Sequence, residues 1–127
     1  MEPNKLDENQ STGTITDLQY LYDLADGSFD FVKEMINLFL NSVPQSVTEL
    51  QAAIDAADWH KVKTIAHRIK PSFGFIGAKN IQEQLSNMER NAIEAPDVVL
   101  QKQLLEKIAA GATICVSELQ TVLDNNE

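Results

Sequence analysis

The chain has little of what most often announces a chemistry. It carries one cysteine in 127 residues, so no internal disulfide can form. Cys115 lies in an apolar periodic run, where a thiol serves as a small core residue. Only two histidines occur, His60 and His67, and with no cysteine pair beside them a structural zinc site is not expected. Basic residues are scarce: ten Lys and Arg stand against nineteen Asp and Glu, for a net charge of −9. That balance disfavours nucleic acid and anionic membrane surfaces as partners. No run of about 18 apolar residues exists and no signal-peptide pattern opens the chain, so a soluble, cytoplasmic protein is expected. Five glycines, four prolines and 6% aromatic residues leave little material for a strand-rich fold.

Apolar residues make up 43% of the sequence, enough for one domain with one core. Residues 1–13 are polar and aperiodic and read as a disordered arm, and residues 14–124 as the domain. Ile15, Leu18, Leu21, Tyr22 and Leu24 suit a short amphipathic helix from Thr14 to Leu24, with Thr16 as its N-cap. After the break at Asp26-Gly27-Ser28, a long stripe runs through Val32, Met35, Ile36, Phe39, Val43, Val47, Leu50, Ile54 and Ala57. Pro44 interrupts it by removing one helical hydrogen bond. The stripe keeps its phase across the proline, which favours one bent helix over two.

Asp58 then reads as an N-cap for a helix from Trp59 to about Ile76, with Val62, Ile65, Ala66, Ile69, Phe73 and Ile76 inward and Gly77 as its left-handed stop. A further helix from about Ala78 or Asn80 carries Ile81, Leu85, Met88 and Ala92. After Glu94-Ala95-Pro96-Asp97, the last carries Leu100, Leu104, Leu105, Ile108, Ala112, Cys115, Leu119 and Val122, with Gly111 a weak spot or a place of close packing. Four amphipathic segments with short connections predict an all-α, antiparallel up-and-down four-helix bundle with a short extra N-terminal helix.

At 100° per residue, with Val62 at zero, the inward positions of the third segment lie within roughly 60° of it. His67 falls near ~140°, off the stripe, with His60 near ~160°, Lys63 near ~100°, Lys70 near ~80°, Gly74 near ~120° and Pro71 near ~180°. A basic, solvent-facing strip on an acidic protein results. Lys63 and Lys70 stand at i−4 and i+3 from His67, close enough for both ammonium groups to approach its ring. A phosphoryl group on imidazole is anionic and would be stabilised there. Neutral imidazole keeps one nitrogen lone pair free as a nucleophile. A metal site between His60 and His67 fails, since they are roughly 10 Å apart along the axis. No glycine-rich phosphate loop is present, so ATP-dependent self-phosphorylation is not expected. From geometry alone, the commonest reading of such a histidine is an ordinary surface residue.

The stretch Ala66, His67, Ile69, Lys70, Ser72, Ile76, Gly77, Ala78 resembles the signature A-H-x-[LI]-K-G-[SA]-[SA]-x-x-[LIV]-G-A of histidine phosphotransfer (HPt) domains of two-component phosphorelays. Upstream, residues 31–40, Pro44 and Asp58-Trp59 resemble the family's lead-in, and Leu85 to Glu89 its second hairpin helix. The resemblance implies a phosphocarrier. His67 would take a phosphoryl group from the phospho-aspartate of one response-regulator receiver domain, or of a hybrid histidine kinase, and pass it to the aspartate of another. Lys70 would stabilise it. The partner receiver would bring Mg²⁺, and this chain would bind no cofactor or metal. A monomer is expected.

Two departures stand out. Pro71 occupies the usual glycine position and leaves the His67 carbonyl without its i+4 donor, which predicts a kink beside the histidine. Phe73 replaces a small residue, but its phase is inward. His60, Lys63, Pro71, Gly74 and Glu89 are the candidate docking positions. Glu89 and His67 lie at nearly equal distances from the Gly77 turn, which places the carboxylate near His67 or Lys70. An ordinary solvated glutamate is as good a reading. Two other functions compete: a histidine-kinase dimerisation fragment, against which Arg68 replaces the acidic residue expected after the histidine, and a non-catalytic helical adaptor.

Overall fold

A computed structural model describes residues 15–126; the arm expected at residues 1–13 lies outside them. Among the described residues five helices follow in order: α1 (Gln19–Leu24), α2 (Phe29–Asp55), α3 (Trp59–Phe75), α4 (Lys79–Glu94) and α5 (Val98–Asn125). Each of α2 to α5 packs on the next, and α5 closes back on α2. This is an all-α, up-and-down four-helix bundle, and no strand occurs among the described residues.

The apolar stripes explain the closure. Val32, Ile36, Phe39, Val43, Leu50 and Ile54 of α2 are buried, as are all six inward positions expected near α3 and all four on α4. Phe39 and Phe73 meet edge to face with centroids 5.2 Å apart, a geometry that adds about 1 kcal/mol beyond burial. The α2 helix is continuous through Pro44, whose ring lies on the exposed face.

Helix ends follow local chemistry. Asp58 accepts from the backbone N–H of Lys61 at the start of α3, and Asp97 accepts from Val99 and Leu100 at the start of α5. At the far end of α3, Ala78 N–H donates to Phe73 C=O and Gly77 N–H to Gly74 C=O, a Schellman motif with Gly77 at φ +74°. The α2 end repeats it with Ala57 in the glycine position, at φ +53°. Ala57, expected inside, is instead exposed, because the left-handed turn carries it out of the helix's phase.

One other expectation is corrected. Leu100 is exposed, whereas Gln101 is wholly buried. Residues 101, 104, 105 and 108 share one helical face, so the phase selects the amide. Its Nε2 donates to Met88 C=O and to Asn91 Oδ1, both at 3.0 Å, tying the start of α5 to the end of α4. At Gly111 an added Cβ would stand 2.5 Å from Ile81 Cδ1, so the close-packing reading of that glycine applies.

The first helix is shorter than expected, and Thr16 does not cap it. Thr16 Oγ1 and the backbone N–H groups of Ile15 and Thr16 all donate to the Glu118 carboxylate on α5. Asp17 N–H donates to Ile76 C=O. These bonds lay residues 15–18 as a strap between α5 and the α3–α4 turn. The cause is a mismatch of length. The 27 and 28 residues of α2 and α5 outrun the 17 and 16 of α3 and α4. The strap and α1, with Leu21 fully buried, cover the apolar surface the shorter hairpin leaves open.

Candidate functional site

His67 is the ninth of the 17 residues of α3. Its neighbours Ala66 and Ile69 are buried, which fixes the helix's rotation and turns the imidazole outward. The His67 side chain is 71% exposed.

The α3–α4 hairpin supplies its partner. The Gly77 turn reverses the chain so that Glu89 comes level with His67, and Glu89 Oε2 lies 2.9 Å from His67 Nδ1. The other oxygen, Oε1, accepts from Lys70 Nζ at 2.9 Å. One carboxylate thus holds both the histidine and the lysine. Lys70 is half-buried, with 26% of its side chain exposed, and Glu89 retains 19%.

This arrangement fixes charge and tautomer. Partial burial pushes the Glu89 carboxyl upward, but the hydrogen bond and charge of Lys70, with those of His67, outweigh it and hold the group below its ordinary value. An ionised carboxylate only accepts hydrogen bonds, so the Nδ1 it touches carries the proton. In the neutral ring Nε2 then keeps its lone pair. Among the described residues nothing is hydrogen-bonded to Nε2. The site presents an exposed nucleophilic nitrogen whose opposite face is anchored.

The other candidate positions are distributed as follows. Lys63 is half-buried on the same helix, and no hydrogen bond or ion pair ties it to His67. His60 is exposed near the start of α3, away from the Glu89 cluster. Pro71 is exposed, and α3 remains helical through it to Phe75. Gly74 does not open a bare surface as its position on the wheel suggested. A Cβ there would fall 2.6 Å from Gln82 Nε2, because the Gln82 side chain lies across it and donates to Lys70 C=O at 3.3 Å.

Gln82 and Arg68 escaped the sequence reading. Arg68 donates to Ser46 Oγ at 3.1 Å and Glu49 Oε1 at 3.0 Å, bracing α3 against α2. Counting along the hairpin from Gly77, the reasoning that located Glu89, sets Gln82 near Gly74. No comparable signal linked Arg68 to α2. Among the described residues no group of three or more His, Cys, Asp or Glu side chains is disposed to hold a metal ion. Among the same residues no helix is long and apolar enough to cross a membrane.

The site thus consists of an exposed histidine midway along one helix of a closed bundle, anchored from the neighbouring helix. The family model for the Hpt domain matches residues 34–125, and the chain belongs to that family. It is also similar to histidine-containing phosphotransfer protein 2 of Arabidopsis thaliana, with 33% identity over 70 residues. That match covers 53% of this chain and 44% of the relative, so it spans less than half of the relative's length. No solved structure matches the chain significantly.

Proposed function

We propose that the protein is a phosphocarrier of a two-component phosphorelay, with His67 as the phosphoryl acceptor. The observation that carries this reading is the anchored ring: Nδ1 is held by Glu89 at 2.9 Å while the side chain is 71% exposed. In the loading step Nε2 attacks the phosphorus of an aspartyl phosphate on a receiver domain. The P–O bond to the aspartate breaks, its electron pair leaves on the carboxylate, and an N–P bond forms. The ring becomes a phosphoimidazolium whose Nδ1–H stays on Glu89, so no proton need leave. The unloading step to a second receiver reverses these changes.

Lys70 stands beside the ring on the same carboxylate and supplies positive charge for the phosphoryl oxygens. Mg²⁺ belongs to the receiver, whose phospho-aspartate pocket it neutralises. Without a phosphate-cradling loop the chain acts as a carrier and does not itself use ATP. The bundle closes on itself through α5 and α2, which supports a monomer over a half-bundle completed by a second copy. A cytoplasmic location fits receiver partners.

The test is transfer of ³²P from a phosphorylated receiver domain to the wild-type protein and to His67→Gln. Acid-labile, base-stable label on the wild type alone is the expected result. Equal labelling of the two would refute the assignment, and no label on either would leave the helical-adaptor reading in its place.

A further inference from the structure

The Glu89 carboxylate does more than steady an imidazole. We infer that Glu89 is a positioning residue that sets how readily the phosphoryl group leaves His67, by keeping a proton on Nδ1 after the N–P bond has formed. This deepens the phosphocarrier reading and rests on it.

The argument is one of leaving groups. When a receiver aspartate or a water attacks the phosphorus, the Nε2–P bond breaks and its electron pair returns to the ring. If Nδ1 carries a proton, the ring departs as neutral imidazole. If Nδ1 is bare, it must depart as the imidazolate anion, a far poorer leaving group. The lability of the bond therefore follows the fraction of phosphorylated rings that hold the Nδ1 proton. An anionic acceptor 2.9 Å from Nδ1 favours that protonated ring. A neutral acceptor of the same shape would hold the ring in place and leave the proton balance unfavoured.

The surroundings make Glu89 the group that decides. From α3, the charges near the ring are Lys70, paired with the same carboxylate, and Lys63 one turn back; both disfavour a positive charge on the ring. From α4, Glu89 supplies the negative charge, and Arg90 beside it turns to Asn87 Oδ1 at 3.2 Å. From α2, Glu49 is engaged by Arg68. Glu89 is thus the one anion hydrogen-bonded to the ring among the described residues, and at 19% exposure it is partly shielded from solvent screening.

The test separates this inference from the acceptor assignment. The wild type, Glu89→Gln and His67→Gln are phosphorylated with phosphoramidate, a small donor that needs no receiver. The ³¹P resonance absent from His67→Gln is followed against pH, together with loss of label over time. Glu89→Gln keeps an acceptor oxygen and the side-chain shape, and circular dichroism checks that the bundle stays folded. The expected result is a titration midpoint of the phosphorylated ring about one pH unit lower in Glu89→Gln. The lifetime of its label at pH 8 should rise by up to about tenfold, the ratio of protonated rings that such a shift gives. Equal midpoints and equal lifetimes would overturn the inference while leaving His67 as acceptor. A wild type without a His67-dependent resonance would sink the acceptor assignment itself, and this inference with it.

Discussion

Glu89 and His67 face each other across the α3–α4 hairpin, with Oε2 2.9 Å from Nδ1. Neither residue is near the other in sequence, and the contact exists because Gly77 turns the chain between them. Lys70 shares the same carboxylate through Oε1. Histidine, lysine and carboxylate therefore form one unit, and changes to any member should be read through the others.

Lys70→Ala removes the cation while leaving His67 on Glu89. Lys70 is not a member of the buried apolar core, so the bundle should stay folded. We expect transfer from a phospho-receiver to slow by about tenfold, the loss of one charge-assisted contact worth about 1.4 kcal/mol in the transition state. Stopped-flow or quench-flow transfer kinetics would show it, and unchanged rates would remove Lys70 from the reaction.

The depressed Glu89 carboxyl links the site to stability. Its folded state favours the ionised form, so its contribution is present above the ordinary glutamate range and lost as pH falls through the lower folded value. With Lys70 partly solvated the effect is small, about 0.5 kcal/mol. Urea unfolding of wild type and Glu89→Gln should differ by that amount at pH 7 and converge as pH falls below the ordinary glutamate range. A gap that widens on acidification would contradict the assigned direction.

Gly77→Ala should be the most damaging single change at the turn. The residue sits at φ +74°, and an added Cβ would lie 2.4 Å from Asp17 C=O. The left-handed conformation costs a side chain about 1–2 kcal/mol, and displacing the strap adds to it. We expect a loss of about 2–4 kcal/mol in chemical denaturation, with transfer also slowed because the turn sets the register of Glu89.

Gly74→Ala should behave differently, although its Cβ would also clash, at 2.6 Å from Gln82 Nε2. The obstacle there is the tip of a flexible side chain, which can swing away. The gain in helix propensity, about 1 kcal/mol, offsets the lost hydrogen bond to Lys70 C=O. Stability within about 0.5 kcal/mol of wild type is expected. In Gln82→Ala the same glycine replacement should be stabilising, which a double-mutant cycle would reveal.

Ala57→Gly should stabilise the protein. Ala57 holds φ +53° in a left-handed helix stop, where glycine pays no steric penalty. A gain of about 0.5–1 kcal/mol is expected in thermal or urea unfolding. A loss would mean that the Ala57 methyl makes a contact that its exposure does not suggest.

The sequence by itself determined the helices and the outward histidine. The stripes of α2, α3 and α4 follow from a period of 3.6, and Asp58 and Gly77 mark the limits of α3 because capping is local chemistry. His67 was legible as exposed, since burying Ala66 and Ile69 leaves that position no other direction. The pattern Ala66, His67, Lys70, Gly77 also carried the family resemblance. Glu89 was legible only as a neighbour, with nothing in the sequence to separate it from a solvated glutamate.

Tertiary structure decided the rest. Thr16 has the composition of a cap, yet Glu118 lies 102 residues away and offers a carboxylate that a local rule cannot foresee. Gln101 is polar in sequence and buried in space because two acceptors on α4 await its amide. Gly74 looked like open surface until Gln82 came across it from the next helix. The division is physical. Helix phase and capping depend on residues within about one turn, whereas the proton on Nδ1, the placement of Lys70 and the covering of the bundle's open end depend on side chains that only the folded hairpin and strap bring together.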